Sequence, residues 1–260
     1  DLYRYTLRVL GGRAPDAAAD VEARKREALV QLALHAEPFE GHKALWDTLD
    51  VGYFMRHDAA DIAWHTQAIL RHPHDAGPLV LIKKSTSEQF EDATQIFVYT
   101  RDMPNLFAAS VAAMDQLHLT VLDARIITAR THFSLDTYIV LDENNLPILD
   151  DGRLALIRHT LIQTLSNPDR FPEVVQRRMP RQLKHFDIKT NVTISHDTIN
   201  QRTILEVMTL DRPGLLARIG RIFMESGVIL QSARIATLGE RAEDVFFITD
   251  TQQQPISDLV

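Results

Sequence analysis

The chain has 260 residues, 45% apolar and 24% charged, a composition that supports a buried core in one or two globular domains. Its 28 basic and 35 acidic residues give a net charge of −7, which argues against a general nucleic-acid-binding surface. The absence of cysteine excludes disulfides, thiolate zinc sites and a cysteine nucleophile, and fits a reducing cytoplasm. The longest apolar stretch, 106–114, is far shorter than the ~20 residues of a membrane span, and the N-terminal residues lack a signal-peptide pattern.

Residues 17–36 are rich in Ala, Glu, Arg and Leu, with Val21, Leu29, Leu32 and Ala33 at helical spacing. Pro38 and Gly41 stop this helix. A second helix is expected over 42–49. A third begins after Asp58, a good N-cap, with Asp61 adding negative charge to the first turn. Ile62, Ile69 and Leu70 give it a buried face, and Pro73 ends it.

From about residue 78 the texture changes to strands. Residues 79–82 form a short apolar run, and 95–100 alternate with Ile96, Val98 and Thr100 on one face. A helix opens at Asp102 and runs to Leu117, strands follow over 119–128 and 133–141, and 152–165 are helical. Residues 186–194 alternate again and are read as the last strand of this unit. The order is βαββαβ, the split arrangement of a ferredoxin-like sandwich. The basic stretch 176–185, holding Arg177, Arg178, Arg181 and Lys184 around Pro180, reads as a solvated linker.

The pattern repeats. At an offset of 109, Asp102, Pro104, Leu106 and Ala108 fall on Asp211, Pro213, Leu215 and Ala217, and Ala124, Arg125, Ile126 and Thr128 fall on Ala233, Arg234, Ile235 and Thr237. One deleted residue later, Asp136 meets Asp244 and Asp142 meets Asp250. The fold class is therefore α+β: a helical segment (1–75), a first ferredoxin-like unit (76–197) and a second unit (198–260). After Asp250 too little sequence remains for the helix and last strand of the first copy, so the second unit is expected to be cut short.

Each copy joins a strand to a helix through Asp-x-Pro. In Asp211-Arg212-Pro213-Gly214-Leu215-Leu216, Pro213 pre-sets φ for the first helical turn. Gly214 lets another group approach the backbone, and the helix start favours a carboxylate. Asp211 either caps the helix or accepts a ligand's amino group, a pairing that suits a zwitterionic amino acid. In the first copy, with Asp102, Pro104 and Asn105, the turn can still form because Asn tolerates unusual backbone angles, but it is the weaker candidate because the Asn105 side chain would crowd a bound ligand. Arg125 and Arg234 either neutralise a ligand carboxylate or form surface ion pairs.

The Asp211–Ala217 turn followed by this pattern resembles an ACT domain, a module that binds amino acids. The pair resembles the C-terminal tandem of the bifunctional uridylyltransferase/uridylyl-removing enzymes that act on the nitrogen-signalling protein PII. The words carrying the resemblance are Tyr53-Phe-Met-Arg-His, Ile62-Ala-Trp-His, Asp123-Ala-Arg-Ile, Asp136-Thr-Tyr-Ile-Val-Leu, Leu183-Lys-His-Phe, Gly214-Leu-Leu-Ala-Arg-Ile-Gly and Ile235-Ala-Thr-Leu-Gly-Glu-Arg-Ala-Glu-Asp.

That family implies a transferase domain, a phosphohydrolase domain that removes UMP, and a glutamine-sensing ACT pair regulating nitrogen metabolism in the cytoplasm. The transferase pattern needs Gly-Ser and Asp-x-Asp to hold Mg²⁺ and a triphosphate. No glycine here is followed by Ser and no two aspartates stand two apart. His57-Asp58 is superficially a phosphohydrolase dipeptide, but a metal shell needs about four to six groups, and Asp58 as N-cap puts His57 outside the helix of Asp61 and His65. The expectation is a regulatory stretch with no catalytic residue, metal or cofactor of its own, magnesium belonging to absent upstream catalytic domains. The partners implied are glutamine, those domains and, through the whole enzyme, PII, with no nucleic acid and no membrane. The rival reading is a structural ACT module that pairs sheets to make a homodimer without ligand.

Overall fold

A computed structural model of the chain describes residues 17–34, 40–73, 75–86, 88–90, 92–167, 188–198 and 200–256. The basic stretch 176–185 and the Leu183-Lys-His-Phe word lie outside these. The chain divides into two compact units, at Pro73 and His74.

The first unit is helical. Its elements are α1 (Ala17–Ala33), α2 (His42–Trp46), α3 (Val51–Arg56) and α4 (Ala59–Arg71). In α1 the buried residues are Val21, Ala28 and Leu32, whereas Leu29, expected on that face, is exposed. Helix α3 was not anticipated; Asp50 caps it by accepting the Tyr53 N–H at 2.9 Å. Its last carbonyls are closed by Arg24, whose guanidinium donates to Phe54 O, Met55 O and His57 O. Asp58 caps α4 through the Asp61 N–H at 2.7 Å, as expected. Ile62, Ala63, Thr66 and Ile69 then form its buried stripe, and Trp46 donates its indole N–H to Thr66.

Among the described residues the second unit forms one eight-stranded antiparallel sheet. The first copy supplies β1 (Leu79–Lys84), β2 (Thr94–Arg101), α5 (Leu106–Gln116), β3 (Thr120–Ile127), β4 (Phe133–Leu141) and α6 (Asp151–Ser166). The second supplies β5 (Asn191–Asp197), β6 (Arg202–Leu210), α7 (Leu215–Glu225), β7 (Ile229–Leu238) and β8 (Arg241–Thr249). The spatial order is β1-β2-β4-β3-β7-β8-β6-β5. The two halves meet at β3 and β7, where Arg125 lies opposite its own repeat counterpart Arg234. A pseudo-twofold axis therefore passes through that pair.

This topology corrects the order βαββαβ. In each copy the fourth strand comes before the unit: β1 forms a hairpin with β2, and β5 forms the equivalent hairpin with β6. The strand expected over 186–194 to close the first unit is β5, Asn191–Asp197, and it pairs with the second. The second copy's sheet thus has its edge strand. The repeat also continues past the strands: Asp142 and Asp250 each cap a turn, and Ile148 N–H and Ile256 N–H donate to Thr94 Oγ1 and Thr203 Oγ1, both at 2.9 Å.

Helices α5 and α7 lie side by side on one face of the sheet. Ala124, Ile126, Tyr138, Ala233, Ile235 and Phe246 face them and share a core with Ala109, Val111, Ala217 and Phe223. The helices touch where Gly220 meets α5: a Cβ there would stand 2.8 Å from Ala108 Cα and 3.3 Å from Val111 Cγ2. Only glycine permits that approach. The Phe246 ring packs edge-on against Phe223 and Phe107, at 5.2 and 6.1 Å, so the core crosses the pseudo-twofold axis.

Candidate functional site

The Asp211–Leu216 turn sits at the end of β6 and the start of α7. Asp211 N–H donates to Glu240 O in the β7–β8 hairpin at 2.9 Å, and Leu215 N–H to Arg212 O at 3.0 Å. Gly214 takes φ +75° at the N-cap of α7. The first turn has the same design: Asp102 N–H donates to His132 O at 2.8 Å, and Asn105 adopts φ 68° at the N-cap of α5. Asn105 therefore reproduces the backbone of Gly214, as its tolerance of left-handed angles predicts.

The group against Gly214 is the chain's own Asp115, from the last turn of α5. A Cβ at Gly214 would lie 3.4 Å from one Asp115 carboxylate oxygen. Gly214 is thus favoured by its positive φ, while the Asp115 carboxylate lies at ordinary contact distance from where a side chain would begin. The close approach that the sequence suggested for a ligand is made on that side by Asp115, which is 6% exposed.

Beneath each turn lies an aspartate on the helix-facing side of the sheet, Asp136 on β4 and Asp244 on β8, both 2% exposed or less. Burial pushes each up to about 7 from the ordinary carboxylate range. Around Asp136, the Ser134 hydroxyl donates at 2.5 Å and the Tyr138 hydroxyl lies close; these pull its pKa down while Asp102 pushes it up. Around Asp244 the repeat has substituted carbon for oxygen: Ala242 replaces Ser134, Phe246 replaces Tyr138 and Ile219 replaces Ser110. Neither Asp244 oxygen meets a hydrogen-bond donor among the described residues; the Ala236 N–H, short of a hydrogen bond, draws its pKa down and Asp211 pushes it up.

The loop carboxylates differ in the same sense. Asp102 is raised by desolvation but drawn back by His132 and Thr128. Asp211 is raised by desolvation and further by Glu240. The second turn therefore gathers Asp211, Asp244, Glu240 and Asp115, whereas the first opposes Asp102 and Asp136 with a histidine and hydroxyls.

Arg125 and Arg234 do not join either turn. Each alternates with residues of the helix-facing core (Ala124 and Ile126, Ala233 and Ile235), so both point to the opposite face of the sheet. Arg125 is paired there with Asp123 at 3.0 Å. Arg212, by contrast, lies in the second turn and is exposed. Pro104 and Pro213 precede the left-handed residue in each turn. Sequence reasoning missed Asp115, Asp244 and Gly220; the loss of Ser134 and Tyr138 around a retained aspartate was the signal for Asp244.

In the helical unit, His57 lies between α3 and α4, outside the helix of Asp61 and His65, as the Asp58 cap predicts. Its Nδ1 lies 3.0 Å from Tyr53 O, and His65 Nδ1 lies 3.0 Å from the Tyr53 hydroxyl. Among the described residues no group of three or more His, Asp or Glu is arranged to hold a metal ion. Nor is any described helix long and apolar enough to cross a membrane.

Comparison with known proteins joins these observations. Residues 16–68 match the family described as "Uridylyltransferase GlnD fifth domain", and residues 203–260 match the ACT domain. A bifunctional uridylyltransferase/uridylyl-removing enzyme from Pseudomonas aeruginosa (strain LESB58) is 51% identical over 99% of this chain and 29% of its own length. Those of Ectopseudomonas mendocina (strain ymp) and Azotobacter vinelandii (strain DJ / ATCC BAA-1303) are 57% and 55% identical over 82% of this chain and 24% of their own. An aspartate kinase from Synechocystis aligns over 64% of this chain and 27% of its own, at 14% identity and a TM-score of 0.34, too low to argue from. The chain thus spans about a quarter to three tenths of the length of the curated relatives it matches. Over that stretch, a helical fifth-domain segment followed by paired ACT-like units, the chain belongs to the family of bifunctional uridylyltransferase/uridylyl-removing enzymes.

Proposed function

We propose that this chain is the amino-acid-sensing region of such an enzyme, that L-glutamine is its ligand, and that the second turn, Asp211–Leu216, holds it. The observation that carries the reading is the ACT domain at 203–260 with an acidic, glycine-capped turn at a helix start. Asp211 accepts the ligand's ammonium. Because Asp115 lies against Gly214, the ligand's carboxylate is left to the Arg212 side of the turn, where an exposed guanidinium and the helix dipole favour an anion. The first turn serves as wall and partner.

Sensing requires that glutamine bind two arrangements of the protein with different affinity, and a tenfold difference is worth about 1.4 kcal/mol. In this reading the chain has no catalytic residue or cofactor of its own. It acts in the cytoplasm on catalytic domains carried elsewhere in the longer protein, which uridylylate PII with magnesium and remove the UMP. Calorimetric titration of L-glutamine, with L-glutamate and D-glutamine as controls, tests the reading. Saturable binding of L-glutamine alone is expected. Absence of binding by all three overturns it and favours a purely structural ACT pair.

A further inference from the structure

The two copies differ in one respect that bears on ligand chemistry. Asp136 is held by a hydroxyl donor of its own copy, and Asp244 is not. A carboxylate that is 2% exposed, with no full hydrogen bond to either oxygen among the described residues and only the Ala236 N–H drawing on it, is costly to keep unless something supplies the missing charge or hydrogen. Asp244 faces the helix side of β8, beneath the second turn, and feels the Asp211 carboxylate. An ammonium group placed between the two would satisfy both.

We infer that Asp244 is the buried acceptor for the ammonium of the amino acid bound at the second turn, and that the flanking Asp115 and Glu240 select a ligand with an uncharged side chain over one with an acidic side chain. Asp115 lies against Gly214 from α5; the Glu240 main-chain carbonyl accepts the Asp211 N–H in the β7–β8 hairpin, and the Glu240 carboxylate is near enough to push the Asp211 pKa up. A second ligand carboxylate entering this ring meets like charge from two elements, which penalises glutamate and leaves an amide unpenalised. The first turn cannot reproduce this: the counterpart of Asp115 across the axis is Met224, and that of Glu240 is His132. The inference rests on the sensor reading and names the groups that give it specificity.

The test uses the 260-residue chain and two near-isosteric variants, Asp244→Asn and Asp115→Asn, titrated with L-glutamine, L-glutamate and N-acetyl-L-glutamine, which lacks the ammonium. The unaltered chain is expected to prefer L-glutamine over L-glutamate by tenfold or more and to ignore the N-acetyl form. Asp244→Asn is expected to lose at least tenfold in glutamine affinity while its thermal midpoint holds or rises, because an unpaired buried charge is removed. Asp115→Asn is expected to keep glutamine affinity and narrow the preference about tenfold. Glutamine affinity unchanged in Asp244→Asn, or an intact preference in Asp115→Asn, overturns the inference while leaving the sensor reading standing. Failure of the unaltered chain to bind glutamine overturns both.

Discussion

The first and second ACT-like copies share a backbone and differ in how they treat the same buried aspartate. Both turns enter a helix through a left-handed residue, both tie the loop aspartate to a hairpin carbonyl, and both end on a threonine-anchored segment at Ile148 or Ile256. In the first copy Ser134 holds Asp136 and His132 draws on Asp102. In the second, Ala242 and Phe246 surround Asp244 with carbon, and Glu240 adds to the charge at Asp211. The comparison teaches that a duplicated fold is kept by main-chain and capping bonds, and that a few side-chain exchanges strip the hydroxyl groups from around a retained buried aspartate.

The largest effect is expected where the copies touch. Gly220→Val drives a side chain into Ala108 and Val111 and should cost about 3 kcal/mol by overpacking, read as a lower denaturation midpoint. Stability equal to the parent would show that the helices do not need that approach.

Next come exchanges that swap the copies' chemistry. Ser134→Ala removes the donor to Asp136 and should destabilise by about 1–3 kcal/mol. The reciprocal Ala242→Ser gives Asp244 a hydroxyl and should stabilise by about 1 kcal/mol while weakening glutamine binding. An Ala242→Ser protein that binds glutamine as before would contradict the contrast between the two sites.

Both buried aspartates titrate near 7, above their unfolded value of 3.8, so the folded state holds its protons more tightly. Their contribution is fully present below the unfolded value and is lost as pH rises through about 7. Thermal midpoints should therefore fall between pH 4 and pH 7 on this account, and Asp136→Asn with Asp244→Asn should flatten that fall. A pH-independent contribution from these two positions would contradict their burial.

The smallest effect is expected at the first turn. Asn105→Gly relieves a left-handed asparagine but loosens the unfolded chain, so stability should move by no more than about 0.5 kcal/mol. It should not create a second glutamine site, because the acid ring is absent there; two sites by calorimetry would show that Asn105 alone separates the copies.

Much of this was legible in the sequence. The 109-residue offset located both turns, Asp58 announced α4, and Asn105 was correctly read as able to take the place of Gly214. The edge strands were not legible, because alternation in 186–194 marks a strand without saying which neighbour it pairs with, and β5 turned back onto β6. Arg125 and Arg234 were found as counterparts, but their side of the sheet depends on register. Asp115 and Gly220 matter only because α5 and α7 lie together, a tertiary fact that the spacing within one helix does not carry.

The most direct test of the central claim, that the second turn and not the first takes the amino acid, is an amide nuclear magnetic resonance titration of the chain with L-glutamine. The account predicts shifts concentrated at 211–217 and 240–245, with residues 102–108 little changed. Shifts centred on 102–108 and 134–138 would contradict it.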